Sequence, residues 1–230
     1  MVELKATDFS PNGVFMGEDK FATRYFLTTN GLPLKKGEYY VQWNLFGPDF
    51  QFSIGENFGI GVMTTWVGVP MIGTVKKSWQ LGEKTQIAAG ALLGTGTWIL
   101  PSFGGVLPFG TLSYGTRKAN MAISSGYGAI WQDGNAEGRA LLSIAGMIKV
   151  STKISLVFDS FILLPSKGKN LNNPNSVNYR PSRNAFALII PGVRWHTDED
   201  RAFQFGFTGI VADGSIVPLP IPTLQWYRSF

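Results

Sequence analysis

The sequence predicts an all-β chain, a closed antiparallel up-and-down transmembrane β-barrel of about twelve strands, with ten to fourteen left open. Three observations carry this. Residues alternate with period two almost end to end. The polar face of each strand is small rather than charged. Short turns also alternate with longer loops along the chain.

The alternation is plain in several stretches. Phe58, Ile60, Val62, Thr64 and Trp66 alternate with Asn57, Gly59, Gly61, Met63 and Thr65. Met121, Ile123, Tyr127 and Trp131 alternate with Asn120, Ala122, Ser124 and Gly128, and Phe203, Phe205 and Phe207 with Gln204, Gly206 and Thr208. A water-soluble sandwich would turn its bulky face inward and coat the other with charge. Here the second face is glycine, alanine and small hydroxyl residues, which suits the crowded interior of a barrel whose bulky face meets lipid. The twelve strands are expected at 21–29, 38–54, 57–66, 72–81, 85–99, 105–116, 119–132, 138–151, 153–164, 184–196, 201–212 and 216–230. The phase change at Gly47-Pro48 is read as a bulge. Residues 1–20 form a separate N-terminal segment, periplasmic or plugging the lumen, and residues 21–230 the barrel.

Composition agrees. Charged residues are only 15% of the 230, apolar residues 44% and aromatics 13%; an average soluble chain carries roughly 25% charge. With no cysteine there are no disulfides, thiolate metal sites or cysteine nucleophiles. The net charge is +5, but Lys35-Lys36, Lys76-Lys77 and Arg117-Lys118 are too short for a nucleic-acid arm. The longest uncharged run, between Lys84 and Arg117, is interrupted by Pro101 and Pro108, and its apolar part falls short of the roughly 20 residues of a spanning helix. The first residues, MVELKATDFSPNG, are not a signal peptide, so an exported chain would have lost its signal already.

The expected lipid-interface anchors are Trp66, Trp131, Trp195, Trp226 and Phe230. Leu224, Trp226 and Phe230 share one face of the last strand. A strand ending on a lipid-facing aromatic resembles the C-terminal signal that the barrel assembly machinery reads in bacterial outer-membrane proteins, although Arg228 stands where an apolar residue is usual.

The stretches ATRYFLTTNGLPLKKGEYYVQW (Ala22 to Trp43), GENFGIGVM (Gly55 to Met63) and KISLVFDSFIL (Lys153 to Leu163) resemble a family of uncharacterised outer-membrane barrels in Bacteroidota. The resemblance spans roughly residues 22 to 230. It implies an outer-membrane barrel, standing alone as a pore or acting within a larger outer-membrane complex, and it carries over no catalytic motif.

Few residues suggest chemistry. His196, the lone histidine, is followed by Thr197, Asp198, Glu199 and Asp200, without the serine two residues on that an outer-membrane phospholipase would need. Asp198, Glu199 and Asp200 lack a calcium-loop spacing and read as a solvated turn. No cofactor, metal or catalytic residue is assigned. By alternation Arg139, Lys149, Lys153, Asp159 and Arg194 face the lumen, and Lys76 can join them. A plugged interior with Asp159 paired to a basic residue is favoured over a narrow, mildly anion-preferring pore. The long loop from Pro165 to Arg183 carries Lys167, Lys169, Arg180 and Arg183 and no acid. Outside the cell it would meet anionic lipopolysaccharide or a partner protein.

The expected function is therefore a non-enzymatic, porin-like barrel of a Gram-negative outer membrane. Its partners would be membrane lipid, lipopolysaccharide, the assembly machinery and other outer-membrane proteins, and it would act as a narrow passive channel or as a scaffold subunit. Two rivals stand beside it: a soluble lipocalin-like barrel binding an apolar ligand, and an outer-membrane lipid-modifying enzyme.

Overall fold

The computed structural model describes residues 17–133, 135–166, 184–212, 215–217 and 220–230, and among them all regular secondary structure is strand. The strands are β1 (Tyr39–Asn44), β2 (Gly47–Gly55), β3 (Phe58–Thr64), β4 (Met71–Gln80), β5 (Thr85–Gly96), β6 (Leu100–Gly115), β7 (Ala119–Gln132), β8 (Asn135–Lys149), β9 (Ile154–Leu163), β10 (Phe186–Asp198), β11 (Arg201–Ala212), β12 (Ser215–Ile216) and β13 (Ile221–Ser229). Sequence neighbours pair antiparallel from β1 to β11. The last strand then pairs with the first, with Trp43 opposite Trp226 and Val41 opposite Arg228, so the sheet closes on itself. The short β12 and the longer β13 both lie on β11 and are two pieces of one wall strand, which gives a barrel of twelve.

Period two in the sequence becomes inside and outside in the wall. Along β8, Ser143, Ala145, Met147 and Lys149 are buried while Leu142, Ile144 and Ile148 are exposed. On β9, Ser155, Val157 and Asp159 point inward and Ile154, Leu156 and Phe158 outward. The exposed band of leucine, isoleucine, valine and aromatic side chains is far too extensive for a surface in water, and lipid is the solvent it fits.

Two expected strands are corrected. Residues 21–29 are not a wall strand: Phe21, Ala22, Tyr25 and Phe26 are all buried and the segment lies inside the barrel. Apolar residues on both sides of a short segment signify burial all round, which a strand pattern imitates. The expected strand 38–54 is two strands, because the phase change at Gly47 marks a two-residue turn, Leu45-Phe46, and not a bulge. Gly47 has φ near +151°, and a Cβ there would sit 2.1 Å from the Thr64 carbonyl oxygen, so glycine is required. The two errors cancel, and the count of twelve stands. The wall begins at Tyr39, not at residue 21.

The turns at one end, at 56–57, 81–84, 116–118, 150–153 and 199–200, are all short; the other end varies, from the two-residue turn Leu45-Phe46 to the long connections 65–70 and 164–185. The wall is uneven. Strands β1 and β3 have 6 and 7 residues, whereas β6, β7 and β8 have 16, 14 and 15. On the low side the turn tips Leu45, Phe46, Trp66 and Val67 are apolar and exposed, as expected where the rim lies within the membrane's apolar depth.

Ile144 faces outward on β8 near mid-height, so Ile144→Arg should cost ~2–4 kcal/mol, the penalty of a cation at the bilayer midplane. Urea unfolding of the barrel refolded in lipid vesicles measures this; an unchanged midpoint would contradict the lipid-facing assignment.

Candidate functional site: a plug latched inside the barrel

Residues 17–37 enter the barrel. A chain segment inside a lumen loses water, so each of its N–H and C=O groups needs another partner. The segment supplies some itself: Tyr25 N–H donates to the Thr28 carbonyl at 3.0 Å, and Asn30 Nδ2 donates to the Ala22 carbonyl at 2.6 Å. The wall supplies the rest with inward polar side chains. Gln225 Nε2 donates to the Phe26 carbonyl at 2.8 Å, the Tyr227 hydroxyl to the Tyr25 carbonyl at 2.9 Å, and Gly31 N–H donates to Ser113 Oγ at 2.7 Å. Lys76 Nζ donates to Thr29 Oγ1 and to the carbonyls of Asn30 and Leu32. These glutamines, serines and tyrosine replace the solvent around a folded-in peptide.

The main latch is Asp19 with Arg194. Both side chains are fully buried, and Arg194 Nη1 lies 3.1 Å from Asp19 Oδ2. Every nitrogen of the guanidinium is used. Nη1 also donates to the Phe21 carbonyl at 2.9 Å, Nη2 to the Arg24 carbonyl at 2.6 Å and Nε to Gln204 Oε1 at 2.7 Å. The guanidinium carbon sits 4.8 Å from the centre of the Tyr227 ring. Asp19 in turn accepts the Phe21 N–H at 2.8 Å and contacts His196 Nε2 at 3.2 Å. Burial pushes the Asp19 carboxyl up, but Arg194 and His196 outweigh it and hold the group well below the usual carboxylate range.

Further ties surround this one. Arg24 of the plug pairs with Asp49 of β2. Asp159 of β9 accepts the Leu27 and Thr28 N–H groups at 2.6 and 2.9 Å and the Thr28 hydroxyl at 2.6 Å. Arg117, in the turn after β6, makes two 2.6 Å bonds to Glu38 and caps the Pro33 carbonyl. Phe26 packs over the wall where β10 and β11 present Gly192 and Gly206. A Cβ at either position would come within 2.6 Å of its ring tip, so these glycines make the socket.

The expected lumen residues separate into groups. Arg194 and Asp159 are buried against the plug. Asp159 is satisfied by backbone amides and a hydroxyl, not by the basic residue expected for it, because the plug's turn brings two N–H groups to it. Lys149 faces inward near the turn end and donates to the Gly17 carbonyl at 2.9 Å. Arg139 lies toward the opposite rim and donates to the Leu164 and Asn184 carbonyls. Lys153 is in the turn before β9 and exposed, so it is no wall residue; it borders a vestibule of about 960 Å³ at the turn end, with Lys20, Lys36, Asp198 and Glu199. Arg194 is consumed by the plug and Lys153 lies in a turn, so among the described residues the expected lumen residues do not together line an open passage. The basic loop residues Lys167, Lys169, Arg180 and Arg183 lie outside the described residues, as do residues 1–16.

The five aromatic residues expected as anchors are exposed in two groups. Trp195, Trp226 and Phe230 are exposed toward the turn end, and Trp131 and Trp66 toward the loop end. Trp66 stacks on Trp43 with 5.8 Å between ring centres and donates from Nε1 to the Leu45 carbonyl. His196 faces inward with Ser155 Oγ 3.4 Å from its Nε2. Asp19 contacts the same nitrogen, so one imidazole edge serves both partners and the opposite-edge arrangement of a hydrolytic triad is not formed. At the turn, Asp200 pairs with Lys20 at 2.5 Å and accepts the Ser229 hydroxyl at 2.7 Å, and these bonds hold its carboxyl below the usual range. Among the described residues no group of three or more His, Cys, Asp or Glu is placed to hold a metal ion.

These features define a class: a closed twelve-stranded antiparallel β-barrel with an apolar exterior, occupied by its own N-terminal segment. Its fold is similar to that of a NanC porin solved in a rhombohedral crystal form, at 12% sequence identity and a TM-score of 0.53, with 84% of this chain and 98% of that chain covered. A CymD monoaromatic hydrocarbon channel is matched at 11% identity and a TM-score of 0.44, over 85% of this chain and 89% of that one. No family model and no curated protein matches the chain.

Breaking the latch from one side strands a charge without solvent. Arg194→Met should destabilise plug docking by ~3–5 kcal/mol, and the double variant Asp19→Asn with Arg194→Met by less than the sum. Limited proteolysis within residues 17–37 reads docking, and additive losses would show that the two side chains do not interact. The pH dependence has a definite sign. A depressed native pKa gives Asp19 a stabilising contribution that is complete above the ordinary carboxylate range of ~4 and is lost as pH falls through the depressed value. Asp19's contribution should thus hold the plug protected between pH 7 and ~4 and fade only below. Protection lost on going from pH 7 to 5 in wild type but not in Asp19→Asn would contradict this.

Proposed function

We propose that the chain is an integral outer-membrane channel protein without enzymatic activity, closed in its resting state by residues 17–37. One observation supports this most: although Phe21, Ala22, Tyr25, Phe26, Leu32 and Leu34 pack against the wall, the plug's charged groups and much of its backbone are held by ion pairs and hydrogen bonds to wall side chains. Buried ion pairs are poor sources of net stability, but they fix one geometry and are strongly disrupted when one partner is lost. That is the behaviour of a removable part. The fold shared with a porin supports the channel reading, and the charge-poor exterior with its two groups of exposed aromatics supports an outer-membrane location. The resemblance to Bacteroidota outer-membrane barrels supports a Gram-negative source. The basic loop residues Lys167, Lys169, Arg180 and Arg183 suit anionic lipopolysaccharide.

The reading predicts currents. In planar bilayers the intact chain should insert and show little steady conductance, while the variant lacking residues 1–37 should conduct steadily, with a current that scales with salt. Insertion of the shortened barrel without current would leave a structural or scaffold role. Full solubility of the intact chain in buffer would remove the membrane reading altogether.

A further inference from the structure

The outer face of the wall carries two cations in an unfavourable arrangement. On β11 and β13 the inward positions Ala202, Gln204, Gln225 and Tyr227 are all buried. Arg201 and Arg228, each one step away, therefore point outward, and both are exposed. The register sets them directly opposite each other. The neighbouring bond, Ser229 N–H to the Asp200 carbonyl at 2.9 Å, makes theirs a non-hydrogen-bonded pair, where Cα atoms stand about 4.5 Å apart and side chains come closest. Like charges so placed repel and weaken the sheet.

Among the described residues no acid relieves them. Asp200 is committed to Lys20, Glu18 to Lys35 and Glu38 to Arg117. Asp198 stands opposite Arg201 on β10, past a register shift, but it borders the vestibule and forms no ion pair with Arg201. Neither guanidinium donates a hydrogen bond to another described residue. Immediately toward the membrane lies an aromatic row. Trp195, Phe203 and Trp226 are lateral neighbours on β10, β11 and β13, with 5.3 Å between the ring centres of Phe203 and Trp226. Phe230 follows Arg228 on the same face and is exposed. Cations just outside an interfacial aromatic row stand at the level of lipid headgroups.

We propose that Arg201 and Arg228 together bind the phosphodiester of an anionic glycerophospholipid in the periplasmic leaflet, with its acyl chains lying along Trp195, Phe203 and Trp226. The inference rests on the outer-membrane reading, which puts the short turns on the periplasmic side. Two guanidinium forks this close can grip one phosphate from two sides with charge-assisted hydrogen bonds, a geometry that arginine serves and lysine does not. The anion turns a repulsive pair into an attractive triad. A zwitterionic lipid brings an ammonium to the same place and gains less. The site also accounts for Arg228, which stands where the last strand of such a barrel usually carries an apolar residue.

The test uses the intact chain refolded in detergent and offered an equimolar mixture of phosphatidylglycerol and phosphatidylcholine with identical acyl chains. Native mass spectrometry counts the lipids retained. The wild type should retain phosphatidylglycerol in preference. Arg201→Gln or Arg228→Gln alone should cut the preference about fivefold, and the two together about twenty-fivefold, the usual worth of one and two cations at an anionic lipid surface. Lys84→Gln removes a cation from an exposed turn at the same end, away from the pair, and should leave the preference unchanged. Glycerol phosphate, a headgroup without chains, should not compete at equal concentration; if it does, the site takes a free anion and the lipid assignment is overturned. Heat-modifiable gel migration confirms that each variant is a folded barrel. A folded wild type without preference, or a loss as large for Lys84→Gln as for Arg228→Gln, would overturn the inference and leave the channel reading intact. Full solubility of the chain in buffer would overturn both.

Discussion

The structure depends on a buried positive charge that cannot be left alone. Arg194 lies inside the barrel with no exposed surface, and nothing on the neighbouring wall neutralises it: Gln204 is neutral and Tyr227 offers a ring face. The counter-charge comes from Asp19, on a segment that is no part of the wall. The barrel is thus electrostatically incomplete without its N-terminal segment, and the segment's backbone is unsatisfied without the barrel's glutamines, serines and tyrosine. Each is the other's solvent. The same logic extends to Asp159, a carboxylate without a cation, which is stabilised by two amides and a hydroxyl from the plug's turn.

Much of the wall was legible in the sequence because alternation is a geometric property of a pleated strand, and a barrel expresses it on every strand. Ile144 and Ser143 differ in chemistry because one meets lipid and the other the lumen, and no tertiary detail is needed to see that. The inward placement of Arg194, Asp159 and Lys149 followed from the same count. Where the reading failed, the local signal was ambiguous for a physical reason. In the segment from Phe21 to Thr29 the apolar Phe21, Ala22, Tyr25 and Phe26 are buried while Arg24 and Thr28 are taken up by the wall's Asp49 and Asp159, so neither a solvated polar face nor a free charge marks it as anything but a strand. The Leu45-Phe46 turn has no asparagine, aspartate or glycine at its centre because its tip is apolar, so turn chemistry was masked there, and only Gly47 signalled the reversal.

The site was less legible. Asp19 sits among polar residues at the edge of a stretch that looked peripheral, and nothing within ten residues announces a partner 175 positions away. The one available clue was arithmetic: basic residues exceeded acids on the inward faces, so a missing anion had to come from elsewhere in the chain. Gly192 and Gly206 carried a clue of the same kind. Adjacent inward glycines on neighbouring strands leave a hollow, and the hollow holds Phe26.

The span of these contacts has a consequence for the order in which the molecule comes together. The plug is the first described part of the chain, yet Asp19 waits for Arg194, Leu27 and Thr28 for Asp159, and Tyr25 for Tyr227 near the other terminus. The seam that shuts the barrel, β1 against β13, needs that same last strand. Loop-closure entropy places such distant pairings late. Until β13 arrives, the leading segment has neither a cage nor a counter-charge, and the half-built sheet has no occupant. Sealing the wall and seating the segment therefore both wait for the last strand, and until it arrives the growing sheet keeps two unpaired edges.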